Sequence, residues 1–450
     1  MSAQPRMTRD PGRPRYVAGA LAAFAGLSAA NVLPPAAQLV LYGIALLAVL
    51  RGSQPLPLRD GFVVLLATGY LVLARVLRGL EFGDALRLMR PCIEGFLLAH
   101  VLFKWCRIRT FRAATITLGG FILIQFVFAL LMALDPQGRS AFIEEIYSDE
   151  SYQNAQFSGA LLFRGYGFSR HHLYGLALAC GLSAGLLLIT ASLERANRGR
   201  LAMAAVAAAG LLLVAVNARI GFVPALLCYA IGSTFLFNRF YVKNLFLVAA
   251  LLLAPLVYFA AVYFSDDLET LWTWLAAGVA QFGSTDPNDV STVSDLQQML
   301  IFSPNVGELA FGSGRVCTPD EACYSDIGFI RALQEGGLVL LALILWLYWR
   351  LNQHIVRLFR RTVAVRSERR RRAAVLLAAM VQLTFVAALI KGEAYGTNDY
   401  SRLVATLACL GLLAGQRRRP ALVSAGERAP EPVPAGETPA WPPRPASLEA

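Results

Sequence analysis

Polar and apolar positions fall into long blocks along this chain. Apolar runs at or near the roughly 20 residues that a helix needs to cross a bilayer recur near Tyr16 to Val32, Ala36 to Leu50, Gly61 to Leu77, Leu88 to Phe103, Ala113 to Leu134, His172 to Leu193, Leu201 to Val216, Ile220 to Phe237, Leu245 to Phe264, Ile327 to Trp349, Ala373 to Ile390 and Ser401 to Gly415. The pattern predicts an all-α polytopic integral membrane protein of about 12 transmembrane helices, its membrane domain covering residues 1–415. The first run follows a basic stretch as a signal peptide's apolar core does, but so many runs follow it that it reads as a retained first helix.

Charge orients this pattern. Cytoplasmic loops carry an excess of Lys and Arg, and Arg6, Arg9, Arg13 and Arg15 place the N-terminus there. Alternation then assigns to the same side Arg51 and Arg59; Lys104, Arg107, Arg109 and Arg112; Arg195, Arg198 and Arg200; Arg239 and Lys243; the run Arg366 to Arg372; and Arg417 to Arg419. One opposite-side loop, bounded by Arg78 and Arg87, runs against the trend. Two large periplasmic loops result, about 135–171 and 265–326, the second rich in carboxylates. Arg350 to Arg372 reads as a basic linker, helical in part and attracted to anionic head groups. Residues 416–450 are Pro-, Ala- and Glu-rich and predict a disordered cytoplasmic tail.

Composition agrees: 56% of residues are hydrophobic and 16% charged, against roughly 45–50% and about 25% in ordinary globular domains. The net charge of +12 does not point to nucleic acid, because the cations sit between apolar runs rather than on a polar face. Of 7 cysteines, Cys92, Cys106, Cys180, Cys228 and Cys409 fall in or beside spans, where they behave as small apolar residues. Cys317 and Cys323 lie in the second large loop, in an oxidising compartment under this topology, and predict a local disulfide; metal ligation is the rival, without a CxxC or HxxxH partner to support it. Walker, Rossmann and GxSxG signatures are absent, and no cofactor or metal is called for. Any catalysis would use an already activated substrate at the membrane.

Polar residues gather in four places on the outer side. RGYGFSRHHLYG holds Arg164, Arg170, His171 and His172 just before a span; fixed cations there suit a phosphate or diphosphate, the competing reading is snorkelling, and the imidazoles are interfacial or proton-transferring. VNARIGF puts Arg219 in a very short turn between apolar helices, where a charge is costly and either binds an anion or pairs with a loop carboxylate. In CYSDIGFIRALQEGG, Asp326 precedes a span as an N-cap or a functional carboxylate, and Arg331 stands four residues before Glu335, within pairing reach on one helical face. KGEAYGTNDYSR contributes Lys391, Glu393, Asp399 and Arg402, polar but unspecific.

Twelve or so spans, two large outer loops, an arginine in the short turn between them and the SD-x-G-ϕ-ϕ-R segment from Ser325 to Arg331 resemble the Wzy-type O-antigen and exopolysaccharide polymerases. Arg164 and Gly175 also follow the Arg-x10-Gly pattern of some of these enzymes, which the second large loop does not repeat, since Asp326 stands at that offset from Arg315. The related O-antigen ligases carry a histidine in the distal loop, where this chain has Ser325-Asp326. The resemblance implies a metal-independent, GT-C-like membrane glycosyltransferase, without cofactor, in the bacterial inner membrane with both termini cytoplasmic. Its substrate would be undecaprenyl-diphosphate-linked saccharide, and its partners a chain-length regulator and a flippase. Arg164 and Arg219 would hold the diphosphate and Arg331 would supply a second cation, with Arg170, His172 and Lys391 as further substrate contacts; Asp326 or His171 would be the base. A ligase, or a polysaccharide transporter, is the alternative.

Overall fold

A computed structural model describes residues 13–51, 58–80, 83–146, 166–170, 174–194, 196–235, 299–303, 305–315, 325, 327–363, 368–392, 394–396 and 398–416. Every regular element among these residues is helical. In chain order they are α1 (Arg13–Phe24), a π turn (Ala25–Ala29), α2 (Ala30–Val32), α3 (Pro35–Leu50), α4 (Leu58–Val76), a 3-10 turn (Gly83–Leu88), α5 (Met89–His100), a second π turn (Val101–Trp105), α6 (Phe111–Leu134), α7 (Pro136–Ile146), α8 (Gly175–Leu193), α9 (Asn197–Ala215), a 3-10 turn (Arg219–Gly221), α10 (Phe222–Phe235), α11 (Val306–Phe311), α12 (Gly328–Thr362), α13 (Glu368–Lys391) and α14 (Asp399–Gln416). The expected span Leu245 to Phe264, much of both large loops and the tail beyond Gln416 lie outside the described residues.

Among the described residues five helices are long and apolar enough to cross a membrane: Phe111–Leu134, Gly175–Leu193, Asn197–Ala215, Gly328–Thr362 and Arg370–Lys391; Ala36–Leu50 and Gly61–Val76 are shorter apolar helices. Leu39, Leu50, Phe62, Leu65 and Leu77 are more than 60% exposed, as side chains facing lipid would be. The centre is α8, buried along almost its whole length. Its glycines explain how: Gly181 faces the backbone of Gly221, and Gly185 meets Cys228 and Met380, so any side chain there would push neighbouring helices apart. Association in lipid depends on such close packing, because the tails are as apolar as leucine.

Contacts between helix ends fall into two sets. At the arginine-rich end Arg112 Nη2 lies 2.9 Å from Glu194 Oε2, the Phe111 amide donates to Thr362 Oγ1, and Arg361 donates to the Gly411 carbonyl. At the opposite end Tyr166 meets Asn217, Ser169 meets Asp399 and Tyr70 meets Gly336.

The basic linker is helical through Thr362, well past the expected span end at Trp349. Thirty-five residues of helix rise about 52 Å, against roughly 30 Å of hydrocarbon. The helix is interrupted at Gly337, whose φ of 64° and ψ of −163° are not helical. There the end of α11 wedges in: a side chain on Gly337 would strike the Ala310 carbonyl and the Gly312 amide. The carbonyls freed by the break are satisfied by Ser313 N on Gln334 O (2.6 Å) and Gly314 N on Glu335 O (3.0 Å), and by Tyr70 Oη on Gly336 O (2.9 Å). Irregular backbone at membrane depth requires such partners.

Candidate functional site

The sequence-predicted residues divide into two groups. Arg164, His171, His172, Asp326, Cys317 and Cys323 lie outside the described residues. Arg170 is exposed and follows the buried Ser169; Arg219 opens the 3-10 turn between α9 and α10; Arg331 is half-buried in the first turn of α12; Lys391 ends α13 and is exposed.

Four segments carrying these residues converge at the end opposite the arginine-rich one. Asn217, fully buried, takes the Tyr166 amide on Oδ1 (3.1 Å) and returns Nδ2 to the Tyr166 carbonyl (2.8 Å), so the turn bearing Arg219 is laced to the segment bearing Arg170. Gln125 of α6 brackets Phe168 in the same way, accepting from its amide at 2.8 Å and donating to its carbonyl at 3.1 Å. Arg139 of α7, 8% exposed, lies 4.4 Å from the centre of the Tyr166 ring; burial pulls its guanidinium below the ordinary value, with Tyr166 partly opposing. Gly392, directly after Lys391, lies against the Tyr174 ring and the start of α12 at Gly328.

The loop between α13 and α14 is folded into the protein. Ala394, Tyr395, Asn398, Asp399, Tyr400, Ser401 and Arg402 are all buried. Asn398 and Ser401 cap each other, Ser401 N donating to Asn398 Oδ1 (2.9 Å) and Asn398 N to Ser401 Oγ (3.2 Å), the reciprocal arrangement of a capping box. That cap fixes Asp399 at the start of α14, where a carboxylate is favoured by the helix dipole. Asp399 Oδ2 accepts from Ser169 Oγ at 2.5 Å and from Ser28 Oγ at 3.3 Å.

One turn further, Arg402 pairs with Glu94 of α5, both buried, and donates from Nη1 to the Leu27 carbonyl (3.3 Å). Glu94 Oε1 also accepts from Tyr42 Oη (2.5 Å) and Arg90 Nε (2.8 Å). The π turn of α1 accounts for the reach of this network: Leu27 supplies its carbonyl to Arg402 and Ser28 its hydroxyl to Asp399 from adjacent positions. Such turns are often found at functional sites.

A second buried charge lies at the helix break. Glu335, fully buried, pairs with Arg87 of the first 3-10 turn, and the side chain of Arg78 lies beside Gly314. Arg78 and Arg87, the exceptions to the charge trend, thus flank the wedge at Gly337. The sequence offered Arg331 as a partner for Glu335 on its own helix; across helices Arg87 is brought to it as well. Ser325 accepts from the Ile327 amide at 3.1 Å just before α12; the cap expected of Asp326 lies outside the described residues.

The interior centre at Glu94, Asp399 and Arg402 is what the sequence reading missed. Asp399 and Arg402 were visible only as members of a polar loop, and Glu94 was absorbed into an apolar run. Its signal was an acid inside a predicted span with Arg90 four residues before it. No group of three or more His, Cys, Asp and Glu suited to a metal occurs among the described residues. Chemically, the arrangement offers arginine and lysine segments at the rim and a hydrogen-bonded carboxylate beneath them. Comparison with protein-family models, curated proteins and solved structures finds no match to this chain.

Proposed function

We propose that this chain polymerises undecaprenyl-diphosphate-linked oligosaccharide repeat units by glycosyl transfer at the periplasmic face of a bacterial inner membrane, with about 12 spans and both termini in the cytoplasm. The observation that supports this reading best is the convergence, at one end of the bundle, of the segments bearing Arg170, Arg219, Arg331 and Lys391. A hydroxyl of one lipid-linked unit attacks the anomeric carbon of another. The new C–O bond forms as the bond to diphosphate breaks, and undecaprenyl diphosphate leaves with its charge spread onto guanidinium groups. The hydroxyl proton passes to Asp326 or His171. Arg164, Arg219 and Arg331 hold the diphosphate, with Arg170, His172 and Lys391 around it.

The deciding experiment supplies the purified full chain in detergent with lipid-linked repeat units and follows products on a gel. A ladder of multiples is expected; folded protein that leaves the single unit unchanged overturns the reading. A ligase would instead require a lipid A-core acceptor and would not extend the donor alone.

A transporter is the second reading, favoured by the buried Glu94–Arg402 pair and the interrupted helix at Gly337. It predicts passage of lipid-linked saccharide across a proteoliposome bilayer without a change in its length.

A further inference from the structure

Arg107 is the one non-glycine residue with positive φ among the described residues, at 57°. It sits where the second π turn gives way to α6. The amide of Ile108 reaches back to the Leu102 carbonyl (2.8 Å), and that of Cys106 to Val101 (3.2 Å). This closure normally places a glycine in the left-handed position, because a side chain there is strained. An observed strain of this kind is a reason to look for what the side chain does.

The guanidinium of Arg107 is exposed and makes no ion pair among the described residues. Trp105, two residues earlier, is 40% exposed. The π turn brings Lys104, just before Trp105, onto the end of α3, where its Nζ donates to the Val49 carbonyl at 3.2 Å. Arg51, also exposed, follows two residues later. Just above it on α3 are Leu46, Leu47 and Leu50, 49%, 52% and 70% exposed.

We propose that the basic surface where the end of α3 meets the π turn after α5 binds the headgroup of an anionic phospholipid. Lys104, Arg107 and Arg51 hold the phosphodiester, Trp105 lies at the interface, and the acyl chains run along Leu46, Leu47 and Leu50. Guanidinium groups match a phosphate's oxygens in pairs, tryptophan suits the boundary between headgroup and hydrocarbon, and basic pockets between helices take such lipids. Burial lowers the Lys104 ammonium from its ordinary value; a phosphate beside it acts in the opposite sense. The site is independent of the glycosyl-transfer reading and stands or falls separately from it.

The test is native mass spectrometry of the purified full chain with phosphatidylglycerol or phosphatidylcholine added to the detergent. Arg107→Gly, Lys104→Gln with Arg51→Gln, and a control of Arg360→Gln with Arg371→Gln, exposed arginines of the same end, are compared with the parent. Phosphatidylglycerol is expected to stay bound to the parent and the control, and about tenfold less to the two site variants. Arg107→Gly is further expected to raise the thermal midpoint in neutral detergent, since glycine relaxes the backbone, so lost binding cannot be laid to misfolding. Equal retention by Arg107→Gly overturns the site. So does an equal loss in the control, which would mean diffuse surface charge, or release of the lipid by millimolar inorganic phosphate, which would mean a site for free anions.

Discussion

Ser169 Oγ donates to Asp399 Oδ2 across 2.5 Å, joining the segment before α8 to the first residue of α14 from 230 positions away. The carboxylate thereby fixes the backbone on which Arg170 stands, and it does so from inside the bundle, since both residues are wholly buried.

This bond predicts coupling between the two positions. Asp399→Ala strands two buried hydroxyls and is expected to destabilise the protein by about 1–3 kcal/mol, whereas adding Ser169→Ala to that variant should cost much less than Ser169→Ala alone. Thermal unfolding of the four proteins in detergent gives the cycle; strictly additive effects would rule the coupling out.

Removing Glu94 takes the partner carboxylate from buried Arg402, and removing Arg402 leaves buried Glu94 with only Arg90 and Tyr42. Glu94→Leu or Arg402→Leu singly is expected to cost about 3–5 kcal/mol, and the double Glu94→Leu, Arg402→Leu to recover most of it. Protein recovered from membranes and its melting midpoint measure both effects. Recovery no better in the double than in the singles would contradict the pairing.

Gly337→Ala should open the wedge. An alanine at that φ and ψ is strained by about 1–3 kcal/mol and collides with Ala310 and Gly312, so α11 is expected to detach. A cysteine at Ser313 should then react with a membrane-impermeant maleimide faster than in the parent; unchanged labelling would show that α11 holds without the glycine.

Under the glycosyl-transfer reading, Arg219→Ala is expected to reduce chain extension by about 10²–10³-fold, the usual loss for a positioned donor to developing charge. Lipid-linked single units should accumulate while the protein remains in the membrane. Polymer at the parent's level from this variant would remove Arg219 from the diphosphate site.

Much of the helical architecture was legible because apolar runs speak directly of helices. The expected spans at Ala113 to Leu134, Ala373 to Ile390 and Ser401 to Gly415 lie within α6, α13 and α14, starting two to five residues late and ending no more than one residue early. The linker after Trp349 was expected to be helical in part, and α12 runs on through it to Thr362 as amphipathic sequence where the hydropathy falls. The interior centre was hidden for a different reason: the partners of Glu94 and Asp399 come from other helices, and nothing local announces them. Arg87 shows this most simply, since a charge at odds with the topology trend found its explanation in Glu335, far away along the chain.

The Glu94–Arg402 pair also sets an order of events at birth. The two residues are 308 positions apart, which at ribosomal speed is about 15–60 s of synthesis. During that interval α5 exists and α14 does not, so Glu94 has Arg90 and Tyr42 as partners but not yet Arg402. The last helix therefore closes the protein chemically as well as spatially: a chain interrupted before α14 holds Glu94 by Arg90 and Tyr42 alone.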